Sequence, residues 1–367
     1  MSDNARILML QRFPPDQTPH GGVHRTEQLT EIFSNNGIDI TYIEKGIIPN
    51  QPILDRVRGV INSLKFQDWE AFYARRLGGF GRLYRLYEHY LGEGNFYNAI
   101  IWESTNEYIT PLIAKKYNIP LIAFPHNLEA FWKARYAEKQ RKNLFSLFNY
   151  LKLEIKALQL ANRVFTISFE EQFLLRNFNI RAELLPYYPP NRLVNFYSNI
   201  RNQRQQTIKN DFLIIGSAIN PFTVDGIYYL VDVINTYLSK EQNIKVDLIG
   251  YQTETLKSEL DYPWLNICGT VTQEQLQQHL LKTKALLIYQ SKGLGALTKI
   301  PEMLIAGVPI IANRIAARSA TQYTGVYIYD TPEDLAMLLQ KEYPIPPIPT
   351  KPENSEQLFI STLLETS

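Results

Sequence analysis

The chain of 367 residues contains one cysteine, Cys268. A single thiol excludes an internal disulfide and fits a reducing compartment; at the end of an apolar run it reads as a small buried hydrophobe. Net charge is also scarce. A formal charge of +2 gives no reason to expect nucleic acid as a partner. No apolar run reaches the roughly 18 residues a membrane helix needs, and no signal-peptide core opens the sequence, so the expectation is a cytoplasmic protein, at most peripheral on the inner face of a membrane. Asp-x-Asp metal motifs, Cys/His zinc spacings, Walker loops and serine elbows are missing as well. What remains is ordinary globular composition, 45% hydrophobic and 20% charged, at a length that favours two domains.

The most informative stretch lies late in the chain. Residues 285–289 form a short apolar run with strand character. Gly293-Leu294-Gly295-Ala296-Leu297-Thr298-Lys299-Ile300-Pro301-Glu302 follows, and after Met303 to Pro309 comes a second apolar run, Ile310-Ile311-Ala312. Strand, glycine-rich turn, helix and strand make a βαβ unit, the building block of a parallel sheet. Gly293 and Gly295 let backbone N–H groups come close to a ligand, and the following helix N-terminus is partially positive. Thr298 reads as the N-cap and Lys299 as a first-turn residue; Pro301 is tolerated because early helix N–H groups lack partners. This combination suits an anion, most simply a phosphate. Glu302, at the end of the first turn, is placed to accept from sugar hydroxyls.

The string from Gly293 to Asn313 resembles the nucleotide-sugar segment of GT-B glycosyltransferases, in particular the retaining family 4 (group 1) enzymes. The resemblance implies an α/β fold of two Rossmann-like domains whose parallel sheets face across a deep cleft. It implies that Lys299 and the loop amides hold the donor diphosphate and stabilise it as it leaves, and that Glu302 binds the ribose. No metal and no cofactor are then expected, the nucleoside-diphosphate sugar being a substrate. The family often carries a second glutamate eight residues before Glu302; here that position is Leu294. The turn Gly216-Ser217-Ala218 resembles the family's first glycine turn, which approaches the donor phosphates. An Arg and a Lys often follow that turn, whereas this chain has Asn220, Pro221 and Asp225, leaving Lys292 or Arg318 to share the charge.

In the first half, a strand at 6–10 leads through a loop to a helix at about 23–35, with Gly21-Gly22 before it and His20, His24 and Arg25 beside it. The resemblance places that glycine pair in the cleft, near donor phosphates and acceptor. A strand at 119–124 delivers Pro125-His126-Asn127-Leu128-Glu129 at its carboxyl end, where open α/β sheets bind ligands. There the resemblance gives His126 a catalytic role near the donor sugar, with Asn127 and Glu129 as acceptor contacts. Segments 56–90 and 131–156 interleave basic and aromatic residues. They read either as amphipathic helices with solvated charges or as a surface for an anionic membrane or a lipid-linked acceptor.

The domains are expected at 1–190 (acceptor side), 211–340 (nucleotide-sugar side) and 341–367 (a proline-rich connector and helical tail, which in GT-B proteins often returns to the first domain), with a linker at 191–210. The expected activity is retaining transfer of a sugar from a UDP- or GDP-linked donor to a saccharide or lipid-linked acceptor. A GT-B sugar-nucleotide epimerase and a catalytically silent GT-B partner protein stay open beside it, the second because of Leu294.

Overall fold

The structure, a computed structural model, describes residues 5–13, 20–44, 46–73, 76–92, 94–103, 105, 107–131, 144–207, 209–237 and 244–365. The chain divides into two compact units, Met1–Pro186 with Pro352–Ser367, and Tyr187–Lys351.

The first unit holds a parallel sheet of β1 (Arg6–Leu10), β2 (Asp39–Tyr42), β3 (Ala99–Trp102), β4 (Leu121–Ala123), β5 (Arg163–Thr166) and β6 (Ala182–Leu184), in the order β2-β1-β3-β4-β5-β6. Its central strands are apolar on both faces because helices cover both. Leu8, Ile100, Trp102 and Leu121 face the helices Leu77–Leu91, Ile109–Tyr117 and Leu144–Leu158. Ile7, Met9, Ile101 and Ile122 face the helix Gly21–Asn35 and the last helix of the chain, Glu353–Glu365. From that last helix Phe359 sets its ring edge-on to Phe33, Phe124 and Phe165, with centroids 4.8–5.2 Å apart. The helix predicted from about residue 23 starts at Gly21, so the glycine pair is its first turn. Of the basic segment 131–156, the part from 144 lies in the helix Leu144–Leu158, and residues 132–143 lie outside the described residues.

The second unit repeats the architecture with β7 (Asp211–Ile215), β8 (Val246–Ile249), β9 (Leu265–Gly269), β10 (Thr283–Ile288), β11 (Ile310–Asn313) and β12 (Val326–Tyr329), in the order β12-β11-β10-β7-β8-β9, all parallel. Here the structure departs from the expected linker. Asn191–Arg204 is a helix whose Leu193, Tyr197 and Ile200 join the second unit's core. Arg204 is fully enclosed and donates to the carbonyl oxygens of Leu280, Gly307 (3.2 Å) and Thr283 (2.8 Å). That enclosure lowers its pKa to about 10. In sequence, a buried arginine among Asn and Gln looks the same as a solvated one.

Each sheet therefore has one strand, β1 or β7, from which the chain runs outward to one side and then returns to build the other. Between β1 and β3, and between β7 and β10, the connections leave in opposite directions. The carboxyl ends of such strand pairs are where open α/β sheets form ligand crevices. Among the described residues no helix is long and apolar enough to cross a membrane.

Candidate functional site

In the second unit, the loops that follow β7 and β10 meet at this switch point. The β7 strand ends in the Gly216-Ser217-Ala218 turn. The Asn220 side chain then accepts from the Phe222 N–H at 3.0 Å, capping the helix Pro221–Tyr237. Lys299 begins the short helix Lys299–Ile305 after β10, and its ammonium donates to the Ile215 carbonyl oxygen at 2.6 Å, one residue before Gly216. The structure thus brings together Lys299 and the Gly216 turn, which are 83 residues apart in sequence. Burial lowers the Lys299 pKa to about 8, while nearby Glu302 acts to raise it. A cation held in this way gains from the arrival of an anion.

The 293–298 loop is braced from β11. The Asn313 side chain exchanges two hydrogen bonds with the Gln290 backbone, at 3.0 and 2.8 Å. Arg318 donates to Gln290 Oε1 (2.6 Å), to the Ile315 carbonyl (2.6 Å) and to the Leu294 carbonyl. A Cβ at position 293 would fall 2.0 Å from an Arg318 nitrogen, so the guanidinium would have to shift, and Gly295 adopts φ +59°, which favours glycine by backbone conformation. Arg318 therefore lies against the loop, whereas Lys292 is exposed. Thr298 was expected as N-cap; it is helical itself (φ −58°, ψ −30°) and its side chain makes no capping bond, so the loop amides are organised from β11. Ser217 is half-buried beside Gly216, its hydroxyl accepting from the Ile219 N–H at 3.4 Å.

Glu302 is buried, and the reason was not visible in sequence. Tyr187 donates to its Oε1 at 2.7 Å and Tyr197 to its Oε2 at 3.2 Å. Two phenols hold the carboxylate in one orientation, and a carboxylate with two such donors keeps lone pairs for a further hydroxyl. Neither tyrosine carried a sequence signal, since both lie in the stretch read as exit and linker.

In the first unit, the corresponding place gathers carboxylates. Glu103, directly after β3, is fully buried and accepts from the Thr26 hydroxyl (2.9 Å) and the Arg12 N–H (3.1 Å). His126 Nε2 lies 3.3 Å from the same carboxylate, which fixes the ring. Glu129, expected as an acceptor contact, gives both oxygens to the Arg12 guanidinium, one at 2.9 Å. Glu154 accepts from the N–H groups of Glu129 (2.9 Å) and Ala130 (2.7 Å) and from the Thr105 hydroxyl (2.7 Å), and burial pushes its carboxyl up to about 7. Glu171 accepts from the Leu128 N–H at 2.9 Å. The 125–130 loop is thereby pinned from four elements, with Asn127 half-buried beside His126.

The glycine pair comes to the same place. His20 caps the helix Gly21–Asn35 by accepting from the Gly22 N–H at 3.1 Å. Phe13 lies edge-on to both His20 (4.7 Å) and His126 (5.2 Å). Burial, then His24, His126 and Arg12, hold His20 below the usual histidine value. Arg25, by contrast, points into the fold and donates to Gln28 and to the Leu185 carbonyl, at 2.5 and 2.8 Å. Glu103 and Arg12 carried the signal that singled out His126, a place just past a strand's carboxyl end, and sequence reasoning missed them.

Among the described residues one group has metal-ligating atoms close together: Asp247, Cys268 and His279. It lies on β8, β9 and the helix Gln273–Lys282, and Asp247 there already pairs with His279 (2.6 Å) and Lys282 (2.8 Å). Cys268 is half-buried on the edge strand β9, less enclosed than expected.

No family model and no curated protein sequence matches the chain. Solved structures do. HepE of Anabaena, in complex with UDP-glucose, is similar at 14% identity and TM-score 0.61, over 99% of each chain. Sucrose-phosphate synthase of Thermosynechococcus elongatus is similar at 14% identity and TM-score 0.61, over 92% of this chain and 89% of that one. The fold is GT-B. A UDP-GlcNAc 2-epimerase of Methanocaldococcus jannaschii is also similar, at 13% identity and TM-score 0.50, over 99% of each chain.

Proposed function

We propose that the chain transfers a sugar from a nucleoside-diphosphate donor to a saccharide or lipid-linked acceptor, as a family 4 type enzyme with retention at the anomeric carbon. One observation carries the reading: the Lys299 ammonium stands at the switch point of the second unit, beside the Gly216 turn and the braced 293–298 loop. A diphosphate seated there would meet the ammonium, the loop amides and, from behind the loop, Arg318. Charge growing on the leaving diphosphate would be stabilised by groups already in place, which is the largest electrostatic contribution available to such a reaction. Glu302, oriented by Tyr187 and Tyr197, would accept from ribose hydroxyls. In the first unit, Glu103 would hold the His126 ring in one orientation towards the donor sugar, and Asn127, Gly21 and Gly22 would border the acceptor. The likeness to HepE in complex with UDP and with UDP-glucose supports a uridine donor, and a GDP-linked donor is the alternative. The cytoplasm is the compartment that supplies such donors.

Because this chemistry assigns charge neutralisation to Lys299 and amides, turnover should survive chelation of divalent ions. Incubation with UDP- and GDP-sugars and a panel of saccharide acceptors, with and without EDTA, tests this, and the anomeric configuration of the product follows by NMR. Loss of turnover in EDTA with recovery in Mg²⁺ would reject the charge assignment. Donor isomerisation without an acceptor would favour the second reading, a sugar-nucleotide epimerase, which the likeness to the UDP-GlcNAc 2-epimerase supports. Nucleotide binding without any turnover would favour the third, a silent partner protein.

A further inference from the structure

Helix Pro52–Phe66 is built inside out. Its buried residues are Asp55, Gly59, Asn62, Ser63 and Phe66, whereas Ile53, Leu54, Val57, Ile61 and Leu64 are exposed. At about 100° per residue these five aliphatics fall within an arc of about 100°, opposite the buried set. The polar inner face follows from how the helix meets its neighbour, Leu77–Leu91. A Cβ on Gly59 would lie 1.9 Å from the Leu77 carbonyl oxygen, and one on Gly81 would lie 1.7 Å from that of Asp55, so the two backbones approach too closely for larger side chains. Asp55 then takes Arg85 in an ion pair at 2.7 Å, which holds its carboxyl below the usual range. The contact is complete without the aliphatic side.

That side faces water over a large fraction of its surface. Ile53 is 83% exposed, Trp69 just past the helix 61%, and the other four aliphatics 40–50%. An apolar stripe of this kind on a folded protein marks a surface that something covers. Its borders identify the covering chemistry. On the same helical projection Arg56 lies on one side of the stripe and Lys65 on the other, both exposed. The acids nearby, Asp55 and Asp68, are buried, so no exposed residue from Gln51 to Trp69 is acidic. Aliphatic residues bordered only by cations, with a tryptophan at the end, fit an anionic lipid surface.

We propose that helix Pro52–Phe66, with Trp69, docks the first unit on an anionic bilayer, the stripe among the acyl chains and Arg56 and Lys65 among the headgroup phosphates. This goes beyond the transferase reading, since lipid binding would stand even if no sugar were transferred. It also narrows the broad basic-aromatic surface expected over 56–90. Phe66, Phe80 and Tyr87 are core residues, and Arg58 and Arg85 are ion-paired.

The test is co-sedimentation of the full chain with vesicles of equimolar phosphatidylcholine and phosphatidylglycerol, beside phosphatidylcholine alone; it needs no nucleotide, so it cannot fail through the donor site. The protein should pellet with the mixed vesicles at low salt and release as salt screens the attraction. The variant Ile53→Ser/Val57→Ser/Ile61→Ser should keep the wild-type melting temperature and lose about tenfold or more in partitioning. Arg56→Gln/Lys65→Gln should bind less at low salt and respond less to salt. Wild-type protein that stays in solution with both vesicle types, or a serine variant that pellets like the wild type, overturns the proposal. So does concentration-dependent self-association in analytical ultracentrifugation that the serine variant abolishes without any change in vesicle binding, which would assign the stripe to a second copy of the chain.

Discussion

At the carboxyl ends of β7 and β10 the second unit offers glycine amides and one ammonium, whereas at the same place in the first unit Glu103, Glu129, Glu154 and Glu171 gather around a single loop. Both sheets reverse direction at a switch point, after one outward strand in the first and two in the second, so topology chooses the location and leaves the chemistry open. In the second unit the nearest carboxylate, Glu302, is held by two phenols. A phosphate approaching Lys299 would meet the ammonium and the loop amides, with that one carboxylate already held in place. In the first unit the carboxylates spend their lone pairs on backbone N–H groups, a guanidinium and a histidine, and so fix a loop. One place is arranged to receive charge, the other to hold a shape.

The largest expected effect tests that holding role. Arg12→Ala leaves Glu129 buried without its guanidinium, which should cost the first unit about 3 kcal/mol. Chemical denaturation followed by a probe in that unit reads it, and nucleotide affinity should stay at the wild-type value. A matching loss of nucleotide affinity would break the division of labour.

Next is Lys299→Ala, which should weaken nucleoside-diphosphate binding by roughly 1.5–3 kcal/mol. The unliganded melting temperature should hold or rise, because burial disfavours the ammonium. Calorimetric titration with UDP, GDP and ADP checks this. Unchanged affinity for the preferred nucleotide would remove Lys299 from the site.

A pH series sharpens the same point. The folded pKa of Lys299, about 8, lies below that of an unfolded lysine, so its burial costs stability at lower pH and the cost fades as pH rises above 8. A bound diphosphate would raise that pKa. Affinity should therefore fall above pH 8, where the diphosphate is fully ionised and only the ammonium titrates, by at most about tenfold per unit. Lys299→Met should abolish the slope; a slope that persists in it belongs to another group.

The smallest effect is expected from Tyr197→Phe, which deletes one of the two phenol bonds to Glu302. It should cost the second unit about 1 kcal/mol and weaken nucleotide more than inorganic phosphate. Equal weakening of both ligands would show that Glu302 does not sense the ribose.

Much of the fold was legible because parallel strands buried on both faces are written as short uninterrupted apolar runs. Residues 6–10, 99–102 and 310–312 could be read in this way, and the glycines between run and helix marked the turns. Helix Asn191–Arg204 escaped because its core contacts are made by a few residues among polar ones, with Arg204 satisfied by carbonyls instead of water. Helix Pro52–Phe66 was hidden in another way. The sequence of segment 56–90 reads either as amphipathic helices with solvated charges or as a membrane-facing surface, and only the tertiary structure shows the glycine-mediated backbone approach that turns the aliphatics of this helix outward.

By itself the sequence determined the α/β class, the positions of the glycine turns and the choice of Lys299, Glu302 and His126 as residues of interest, since His126 lies just past a strand, Lys299 and Glu302 lie in the first turn of the helix after a glycine-rich loop, and local order is set by local spacing. Only the tertiary structure decided what those residues touch. Lys299 meets the Ile215 carbonyl, Glu302 meets Tyr187 and Tyr197, and His126 meets Glu103, in each case across more than 20 residues of chain. Partners that distant are brought together by the order in which strands join a sheet, and strand order leaves no periodicity in the chain from which it could be read.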